Sequence, residues 1–208
     1  MRDWGLYLVT DRSMMAGREY VQTVLQAVSG GVTAVQLREK NLPTREFVAL
    51  ARALAHALRR LKVPLIINDR LDVALAADAD GVHLGQDDMD AITARHLIGR
   101  DRLLGISAST AEEALAAERD GADYIGGGVV FETATKADYA GTIGIKGLSS
   151  IVHAVRIPVV AIGGIGPATI PALRSVPGLA GLAVVSAILK AEDPRKAASS
   201  LLDLWRPA

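Results

Sequence analysis

Short apolar segments alternate with longer amphipathic segments along the chain. The apolar segments number eight and resemble buried parallel strands in length and composition. They predict strands at Leu6–Thr10, Ala34–Glu39, Pro64–Asn68, Gly81–Leu84, Leu103–Ser107, Tyr124–Gly128, Pro158–Ile162 and Leu182–Ser186. The segments between them predict helices at Glu19–Ser29, Thr44–Leu61, Asp72–Ala77, Ala91–Leu97, Thr110–Asp120, Ile145–Val155, Pro167–Ser175 and Pro194–Trp205. A strand followed by a helix, repeated eight times, predicts an α/β fold of the (β/α)₈ TIM-barrel type.

Polar residues collect where the predicted strands end. They are Gln36, Arg38 and Lys40; Asn68 and Asp69; Asp88; Ser107; and Thr133, Thr135 and Lys136. The carboxyl ends of the strands converge on one mouth of such a barrel, so these distant stretches are expected to form one pocket. A pocket with two acids, several cations and glycine-rich backbone suits a metal ion and phosphorylated ligands.

The composition narrows the class of protein. A chain of 208 residues, half of them apolar, is enough for one sizeable core, so we expect one domain over residues 1–208. Twenty-three basic residues balance twenty-three acidic ones, which argues against nucleic-acid binding and makes any anion site local. Cysteine is absent, which excludes disulfides, thiolate metal sites and cysteine nucleophiles.

The N-terminus and the hydropathy pattern bear on location. Met1–Gly5 carries polar residues where a secretory signal would be apolar, and no apolar run reaches membrane-spanning length. We therefore expect a cytoplasmic protein that does not act at a membrane. The sequence leaves the oligomeric state open, with a homodimer as one option.

The segment Gln36–Lys40 is the strongest local signal. On a strand, side-chain alternation puts Gln36, Arg38 and Lys40 on one side, while Leu37 and Glu39 face the other way. Arginine binds phosphate oxygens bidentately, lysine adds a mobile charge, and glutamine can hydrogen-bond a heterocycle or a phosphate. The alternative is an ordinary strand end with solvated charges.

Asp69 and Asp88 close consecutive predicted strands, so their carboxylates are expected to lie close enough to share a cation. Mg²⁺ is typically held by one or two carboxylates together with waters and substrate phosphates. The alternative is a cap at Asp69 and a solvated turn around Asp88, and we prefer the turn for Asp87 and Asp90. His83 lies mid-strand among apolar residues, which favours a hydrogen-bonded core histidine over a ligand.

Glycines and hydroxyls dominate the late strand ends, at Gly163, Gly164 and Ser186. In barrels of this kind, the loops after the seventh and eighth strands often bind phosphate through backbone N–H groups. Thr133–Lys136 lies in the long segment after the sixth strand and is interpreted as a flap that closes over an anionic substrate. A solvated loop is the alternative.

The chain resembles the thiamine-phosphate synthase family over nearly its whole length. The shared motifs are L-Y-L-V-T-D, Q-L-R-E-K, I-I-N-D, A-D-G-V-H-L-G-Q-D-D, G-I-S-A, G-A-D-Y-I-G, T-A-T-K, A-I-G-G-I, V-V-S-A-I and the late E-D-P. Q-L-R-E-K and G-V-H-L-G-Q-D-D are specific to the family, whereas the glycine motifs occur in many phosphate-binding barrels. The order and the spacing of the motifs also agree with the family.

The resemblance implies the substrates and the residues that hold them. For the pyrimidine diphosphate it implies Gln36, Leu37, Arg38, Glu39, Lys40, Asn68, Ser107 and Lys136. For the thiazole phosphate it implies Thr133, Ala134, Thr135, Gly164, Val185 and Ser186. It implies Asp69 and Asp88 as Mg²⁺ ligands, and Arg38, Lys40, Ser107 and Lys136 as the catalytic residues.

The resemblance also implies the reaction. Diphosphate leaves the hydroxymethylpyrimidine, and the thiazole nitrogen bonds to the exposed methylene carbon, with loss of CO₂ if the thiazole is carboxylated. Mg²⁺ and the cationic residues would stabilise the charge that builds on the leaving diphosphate, so no nucleophilic side chain is required.

Three alternatives are weighed against a synthase. The segment from Gly128 to Thr133 lacks the two prolines usual in the family, and V-F-E-T is similar to the related thiazole tautomerases, in which a histidine is expected at the position of Val129. Valine cannot transfer a proton, which favours a synthase.

The acid pair together with Lys136 argues against a non-catalytic barrel that only binds phosphorylated metabolites. A sugar-phosphate epimerase would need an acid/base pair, and the two acids are better explained as metal ligands.

Overall fold

Eight parallel strands close into a barrel in the computed structural model, which describes residues 3–133 and 141–206. The strands are β1 Leu6–Val9, β2 Ala34–Leu37, β3 Leu65–Asn68, β4 Gly81–Leu84, β5 Leu103–Ala108, β6 Tyr124–Gly128, β7 Val159–Ile162 and β8 Gly181–Val184. Each strand pairs with its neighbours in sequence, and β8 pairs with β1 to close the sheet. The predicted (β/α)₈ barrel is confirmed.

The helices surround the barrel. They are α1 Tyr20–Ser29, α2 Thr44–Arg59, α3 Leu71–Ala76, α4 Ala91–Ile98, α5 Ala111–Arg119, α6 Gly144–Ala154, α7 Ile170–Leu173, α8 Ser186–Leu189 and α9 Pro194–Trp205. A 3₁₀ turn at Arg12–Met14 follows β1. Within the described ranges, every helix is too short or too polar to cross a lipid bilayer.

Four predicted elements are wrong by two residues or more at an end. The helix expected over Thr44–Leu61 ends at Arg59, and the helix expected over Pro167–Ser175 spans only Ile170–Leu173. The strand expected over Ala34–Glu39 ends at Leu37, and the strand expected over Leu182–Ser186 ends at Val184. In the second case Ser186 begins α8, a helix that was not predicted because four residues are too few for a periodic apolar pattern. Both strand differences fall at the mouth of the barrel.

Side-chain caps mark several of the predicted helix starts. The Thr110 hydroxyl accepts the backbone N–H of Glu113, and the Glu113 carboxylate accepts the N–H of Ser109, so two N–H groups at the start of α5 are satisfied reciprocally. Asp193 accepts from the N–H of Lys196 at the start of α9. Asp90, interpreted as part of a solvated turn, is exposed and caps α4 by accepting from the N–H of Thr93.

Alternation along the strands divides the core into two layers. In β1, Leu6 and Leu8 point outward and pack against the helices, whereas Tyr7 and Val9 point into the barrel. The inward-facing apolar residues are Trp4, Tyr7, Val9, Ala34, Ile66, Tyr124, Val160 and Ala183. The barrel is therefore a packed core and not a pore.

Glycines make room for the large rings inside the barrel. A Cβ on Gly105 would lie 2.1 Å from Cζ of Tyr124, and one on Gly126 would lie 2.9 Å from Cε1 of His83. The rings of Trp4 and Tyr124 have centroids 4.2 Å apart, and those of Tyr7 and Tyr124 are 6.0 Å apart. The inward glycines on β5 and β6 are therefore required by the aromatic filling of the interior.

Gly105→Ala is expected to lower the free energy of unfolding by about 3 kcal/mol, because the added methyl group overpacks the barrel against Tyr124. Urea unfolding measures the loss. Gly166→Ala is the matched control, since Gly166 has no positive φ and a methyl group added there would meet only Cβ of Ala187 at 3.9 Å, an ordinary contact. The control should therefore lose little stability. Equal losses in the two variants would contradict the packing argument.

Candidate active site

The residues expected at the site mostly reach one mouth of the barrel. Gln36 and Leu37 lie on β2, Asn68 and Ser107 lie on β3 and β5, and the other described candidates follow the carboxyl ends of β2, β3, β4, β6, β7 and β8. Thr133 comes after β6 and is partly buried. Ala134, Thr135 and Lys136, which were expected in a flap, lie outside the described residues.

The Gln36–Lys40 segment differs from its prediction. Gln36 is only 4% exposed and lies inside the barrel, where its Nε2 donates to the Tyr7 hydroxyl at 3.0 Å. Leu37 is fully buried among the helices, so its side chain does not reach the mouth. Since β2 ends at Leu37, the prediction that alternation carries Gln36, Arg38 and Lys40 together into the mouth is wrong.

Thr10 explains why the strand ends there. Its hydroxyl accepts the backbone N–H of Arg38 at 3.0 Å, where a continuing strand would have used a backbone carbonyl. The same hydroxyl donates to the Gln36 carbonyl at 3.1 Å and accepts from the Tyr20 hydroxyl at 2.8 Å. Thr10 is fully buried, so this one side chain holds the backbone from which Arg38 emerges. Thr10 belongs to the L-Y-L-V-T-D motif, but the motif alone does not indicate this role.

Two ion pairs brace the segment after β2. Nη1 of Arg38 lies 3.3 Å from Oδ2 of Asp11, and Nε of Arg12 lies 3.1 Å from Oε1 of Glu39. The Glu39 side chain is only 6% exposed, and the Arg12 guanidinium also stacks on the Tyr20 ring at 4.8 Å. Glu39, expected at the pyrimidine diphosphate, therefore holds its own loop with its carboxylate.

The two acids expected to bind a metal lie beside Lys40. Nζ of Lys40 is 2.5 Å from Oδ2 of Asp69, and Nδ2 of Asn68 donates to Oδ1 of Asp69 at 2.6 Å. Asp69 has a φ of +62°, a backbone conformation that non-glycine residues rarely adopt and that is enriched at functional sites. Oδ2 of Asp88 accepts the backbone N–H of Gly85 at 2.7 Å.

The electrostatics of the acid pair favour a cation. Although Asp88 is exposed as a whole residue, partial burial of its carboxyl raises its pKa, and the nearby Asp69 carboxylate raises it further. The Gly85 N–H and the charge of Lys40 act in the opposite direction. In the described part of the chain, no cluster of three or more histidine, cysteine or acidic side chains could enclose a metal. Two carboxylates suit a cation such as Mg²⁺, which takes its other ligands from water and phosphate.

Ser107 is hydrogen-bonded to a series of polar side chains inside the barrel. Its Oγ lies 3.0 Å from Nε2 of His83, whose Nδ1 lies 3.0 Å from the hydroxyl of Tyr124. His83 is 7% exposed and has hydrogen-bond partners on both ring nitrogens, as expected for a core histidine. The roles of Tyr7 and Tyr124 were missed, although strand alternation would have put both of them inside the barrel.

The side of the mouth that follows β7 and β8 presents backbone groups and not charged side chains. Gly163 and Gly164 have φ values of +102° and +64°, which glycine adopts without strain. The Thr169 hydroxyl donates to the Gly164 carbonyl at 3.1 Å and accepts the N–H of Gly166 at 3.0 Å. This turn after β7 is therefore fixed by its own hydrogen bonds.

Ser186 begins α8 directly after Val185, and the first N–H groups of a helix have no acceptor within it. Arg18 secures the other end of α8 by donating to the carbonyls of Leu189 and Ala191. The two backbone elements after β7 and β8 together form the kind of site that binds phosphate in many barrels.

Comparison with known proteins decides the family. The family model described as thiamine monophosphate synthase matches residues 6–188. The chain belongs to the thiamine monophosphate synthase family. The function expected from the motifs, joining the pyrimidine and thiazole moieties in thiamine biosynthesis, is thereby confirmed.

Individual members of the thiamine monophosphate synthase family match over almost the full chain. The thiamine-phosphate synthase of Desulfitobacterium hafniense is 49% identical over 204 residues, which are 98% of each protein. That of Chloroflexus aurantiacus is 51% identical over 96% of this chain and 91% of that protein. The solved thiamine phosphate pyrophosphorylase from Pyrococcus furiosus has a TM-score of 0.89 and 43% identity, covering 98% of this chain and 96% of that one.

Thr10→Val is expected to lower the free energy of unfolding by about 1–3 kcal/mol, because it leaves the partly buried Arg38 N–H and the buried Tyr20 hydroxyl without their acceptor. Urea unfolding measures this loss. Thr10→Ser, which keeps the hydroxyl, is the matched control and should lose less. A valine variant as stable as the serine variant would show that the hydroxyl does not hold the segment.

Asp88→Asn is expected to stabilise the metal-free protein at neutral pH. The pKa of Asp88 is raised on folding, so the folded state binds this proton more tightly and stability falls as the pH rises from the unfolded value, about 3.9, through the raised value. The asparagine variant lacks this loss. Thermal unfolding between about pH 4 and pH 7 in EDTA measures it, with exposed Asp87→Asn as the control. Parallel pH profiles for wild type and Asp88→Asn would exclude the effect.

Proposed function

We propose that this mouth joins hydroxymethylpyrimidine diphosphate to a methylthiazole ethyl phosphate by Mg²⁺-assisted dissociative substitution. The products are thiamine phosphate and diphosphate, with CO₂ when the thiazole carries a carboxylate. The observation that carries the proposal is the cluster of Lys40, Asp69 and Asp88 at the carboxyl ends of β2, β3 and β4. Cations and paired acids at one mouth are what the departure of a diphosphate requires.

The pyrimidine diphosphate is assigned to the side of the mouth built by β2 to β5. Arg38 and Lys40 bind its phosphate oxygens, and Ser107 and Asn68 donate hydrogen bonds from the strand ends. Gln36 recognises the pyrimidine ring from below, through the amide atoms not used by Tyr7. The buried Leu37 and the paired Glu39 support this side by holding the segment in place, and Lys136 is assigned to the same diphosphate.

The residues present fit a magnesium ion. Asp69 and Asp88 would hold it, because a divalent cation would offset both effects that raise the pKa of Asp88, the partial burial of its carboxyl and the neighbouring Asp69 carboxylate. When bound there, Mg²⁺ supplies positive charge to the leaving diphosphate. The Lys40 ammonium, which contacts Asp69, is within reach of the same diphosphate and can contact a phosphate oxygen instead.

The reaction breaks the bond between the methylene carbon and the diphosphate oxygen before the new bond forms. Arg38 and Lys40 stabilise the charge left on that oxygen, and Ser107 donates a hydrogen bond to it. The electron-rich aminopyrimidine carries the positive charge in the meantime. The thiazole nitrogen then bonds to the methylene carbon, so the protein needs to hold the two rings in line and exclude water.

The thiazole phosphate is assigned to the backbone side of the mouth. Its phosphate lies against the turn at Gly164 and the start of α8, where Val185 leads into Ser186 and unpaired N–H groups are available. Thr133, Ala134 and Thr135 are assigned to the same substrate, with the threonine hydroxyls binding its phosphate or carboxylate. The two substrates thus approach from opposite sides of the barrel axis.

Product formation tests the proposal directly. Purified protein is given hydroxymethylpyrimidine diphosphate and carboxythiazole phosphate, with Mg²⁺ or with EDTA, and thiamine phosphate and diphosphate are followed. Both products should appear in equal amounts and only with the metal. Turnover that persists in EDTA would overturn the metal assignment, and a changed tautomer ratio of the carboxythiazole without any product would favour a tautomerase.

Asp69→Ala and Asp88→Ala are expected to lower the Mg²⁺-dependent kcat on the order of a hundredfold or more while the protein stays folded, because the metal loses a ligand. Asp87→Ala, in the same turn as Asp88, is the matched control and should turn over normally. Circular dichroism verifies folding. If either variant unfolds, or keeps the wild-type dependence on Mg²⁺, the acids have a structural role instead.

A further inference from the structure

An unbroken chain of hydrogen bonds crosses the barrel beneath the mouth. It runs from Nε2 of Gln36 to the hydroxyl of Tyr7 at 3.0 Å, and from there to the hydroxyl of Tyr124 at 2.8 Å. It continues to Nδ1 of His83 at 3.0 Å, and from Nε2 of His83 to Oγ of Ser107 at 3.0 Å. The strands involved, β2, β1, β6, β4 and β5, lie around much of the barrel. The two ends are residues already assigned to the pyrimidine diphosphate.

Burial restricts the protonation states of the residues in this chain of hydrogen bonds. Tyr7 and Tyr124 are both at most 2% exposed, and burial raises the pKa of each phenol well above its usual range. Each phenol therefore keeps its hydrogen and has one hydrogen to donate. A buried phenol that accepted from both neighbours would leave its own hydrogen without an acceptor, which is costly. Each phenol therefore accepts from one neighbour and donates to the other, so the hydrogen bonds all run in the same direction.

The amide of Gln36 sets that direction. Its nitrogen faces Tyr7, so Tyr7 accepts and donates onward to Tyr124, which donates to Nδ1 of His83. His83 then carries its hydrogen on Nε2 and donates it to Ser107. The hydroxyl hydrogen of Ser107 is thus directed away from His83 and is available to the mouth.

We infer that the buried chain from Gln36 to Ser107 presets the Ser107 hydroxyl as a hydrogen-bond donor to the leaving diphosphate. Tyr7, Tyr124 and His83 are positioning residues that act through Ser107. A donor that is already oriented stabilises developing charge without reorganising during the reaction. The hydrogen bonds also connect Gln36, which recognises the pyrimidine ring, to Ser107, which contacts the leaving group. This role rests on the proposed function, in which Ser107 binds the diphosphate.

The tautomer of His83 tests the direction of the hydrogen bonds without any substrate. Nitrogen-15 NMR distinguishes a hydrogen on Nε2 from one on Nδ1, and His83→Gln assigns the signal among the four histidines. Wild type should show the Nε2–H form, and Tyr124→Phe should show a mixture of the two. Tyr20→Phe is the matched control: it removes a buried hydroxyl that bonds to Thr10 and should leave the tautomer unchanged. An Nδ1–H form in wild type, or an unchanged tautomer in Tyr124→Phe, would overturn the inference.

Kinetics test whether the chain acts through Ser107. Tyr124→Phe should lower kcat roughly tenfold with little change in KM, since the donor is lost mainly in the transition state. In a Ser107→Ala background the same substitution should cause no further loss, whereas independent effects would multiply. A multiplied loss overturns the positioning role. Tyr7→Phe, which breaks the chain nearer Gln36, replaces Tyr124→Phe if that variant fails to fold.

The two experiments separate failure of this inference from failure of the proposed function. If Ser107→Ala keeps the wild-type kcat, Ser107 does not assist the leaving group, and its proposed role fails whatever the tautomer of His83. If Ser107→Ala loses kcat but Tyr124→Phe leaves both kcat and the tautomer unchanged, the proposed function stands and the chain is only structural.

Discussion

The limited volume inside the closed barrel is the constraint on which the rest of the structure depends. Trp4, Tyr7 and Tyr124 fill much of it, and Gly105 faces Tyr124 while Gly126 faces His83, because a methyl group at either position would collide. Rings of this size bring phenol hydroxyls into the buried interior, where each hydroxyl needs a partner. The partners are side chains from the layer above, Gln36 and His83. The floor of the site is therefore polar because of how the core beneath it is filled.

The two sides of the mouth use different chemistry. The side made by β2 to β5 presents charged side chains, and the segment that carries Arg38 is held by the buried hydroxyl of Thr10 and by ion pairs. The side made by β7 and β8 presents backbone, with Gly164 at positive φ and α8 starting at Ser186. Mobile cations suit a diphosphate that must leave, whereas fixed N–H groups suit a phosphate that stays on the product.

Much of the fold could be predicted from the local pattern of apolar and polar residues. Eight apolar runs separated by amphipathic segments predicted the barrel, and Thr110 and Pro194 marked the starts of α5 and α9 within a residue. The errors at the mouth have two causes, a tertiary contact at β2 and the shortness of α8. The chain leaves β2 at Leu37 because the Thr10 hydroxyl takes the place of a strand partner, and α8 is too short to produce a period. Positions 134–140, with part of the expected flap, lie outside the described residues.

The sequence by itself determined the barrel, the family and the collection of Arg38, Lys40, Asp69, Asp88 and Ser107 at strand ends, because hydrophobic period and motif order are properties of the chain. Only the tertiary structure decided which of these residues touch. The contact of Lys40 with Asp69 joins positions 29 apart, and the bond between Tyr7 and Tyr124 joins positions 117 apart. Such pairs depend on strand register and on the space inside a closed barrel, and no local pattern records either of them.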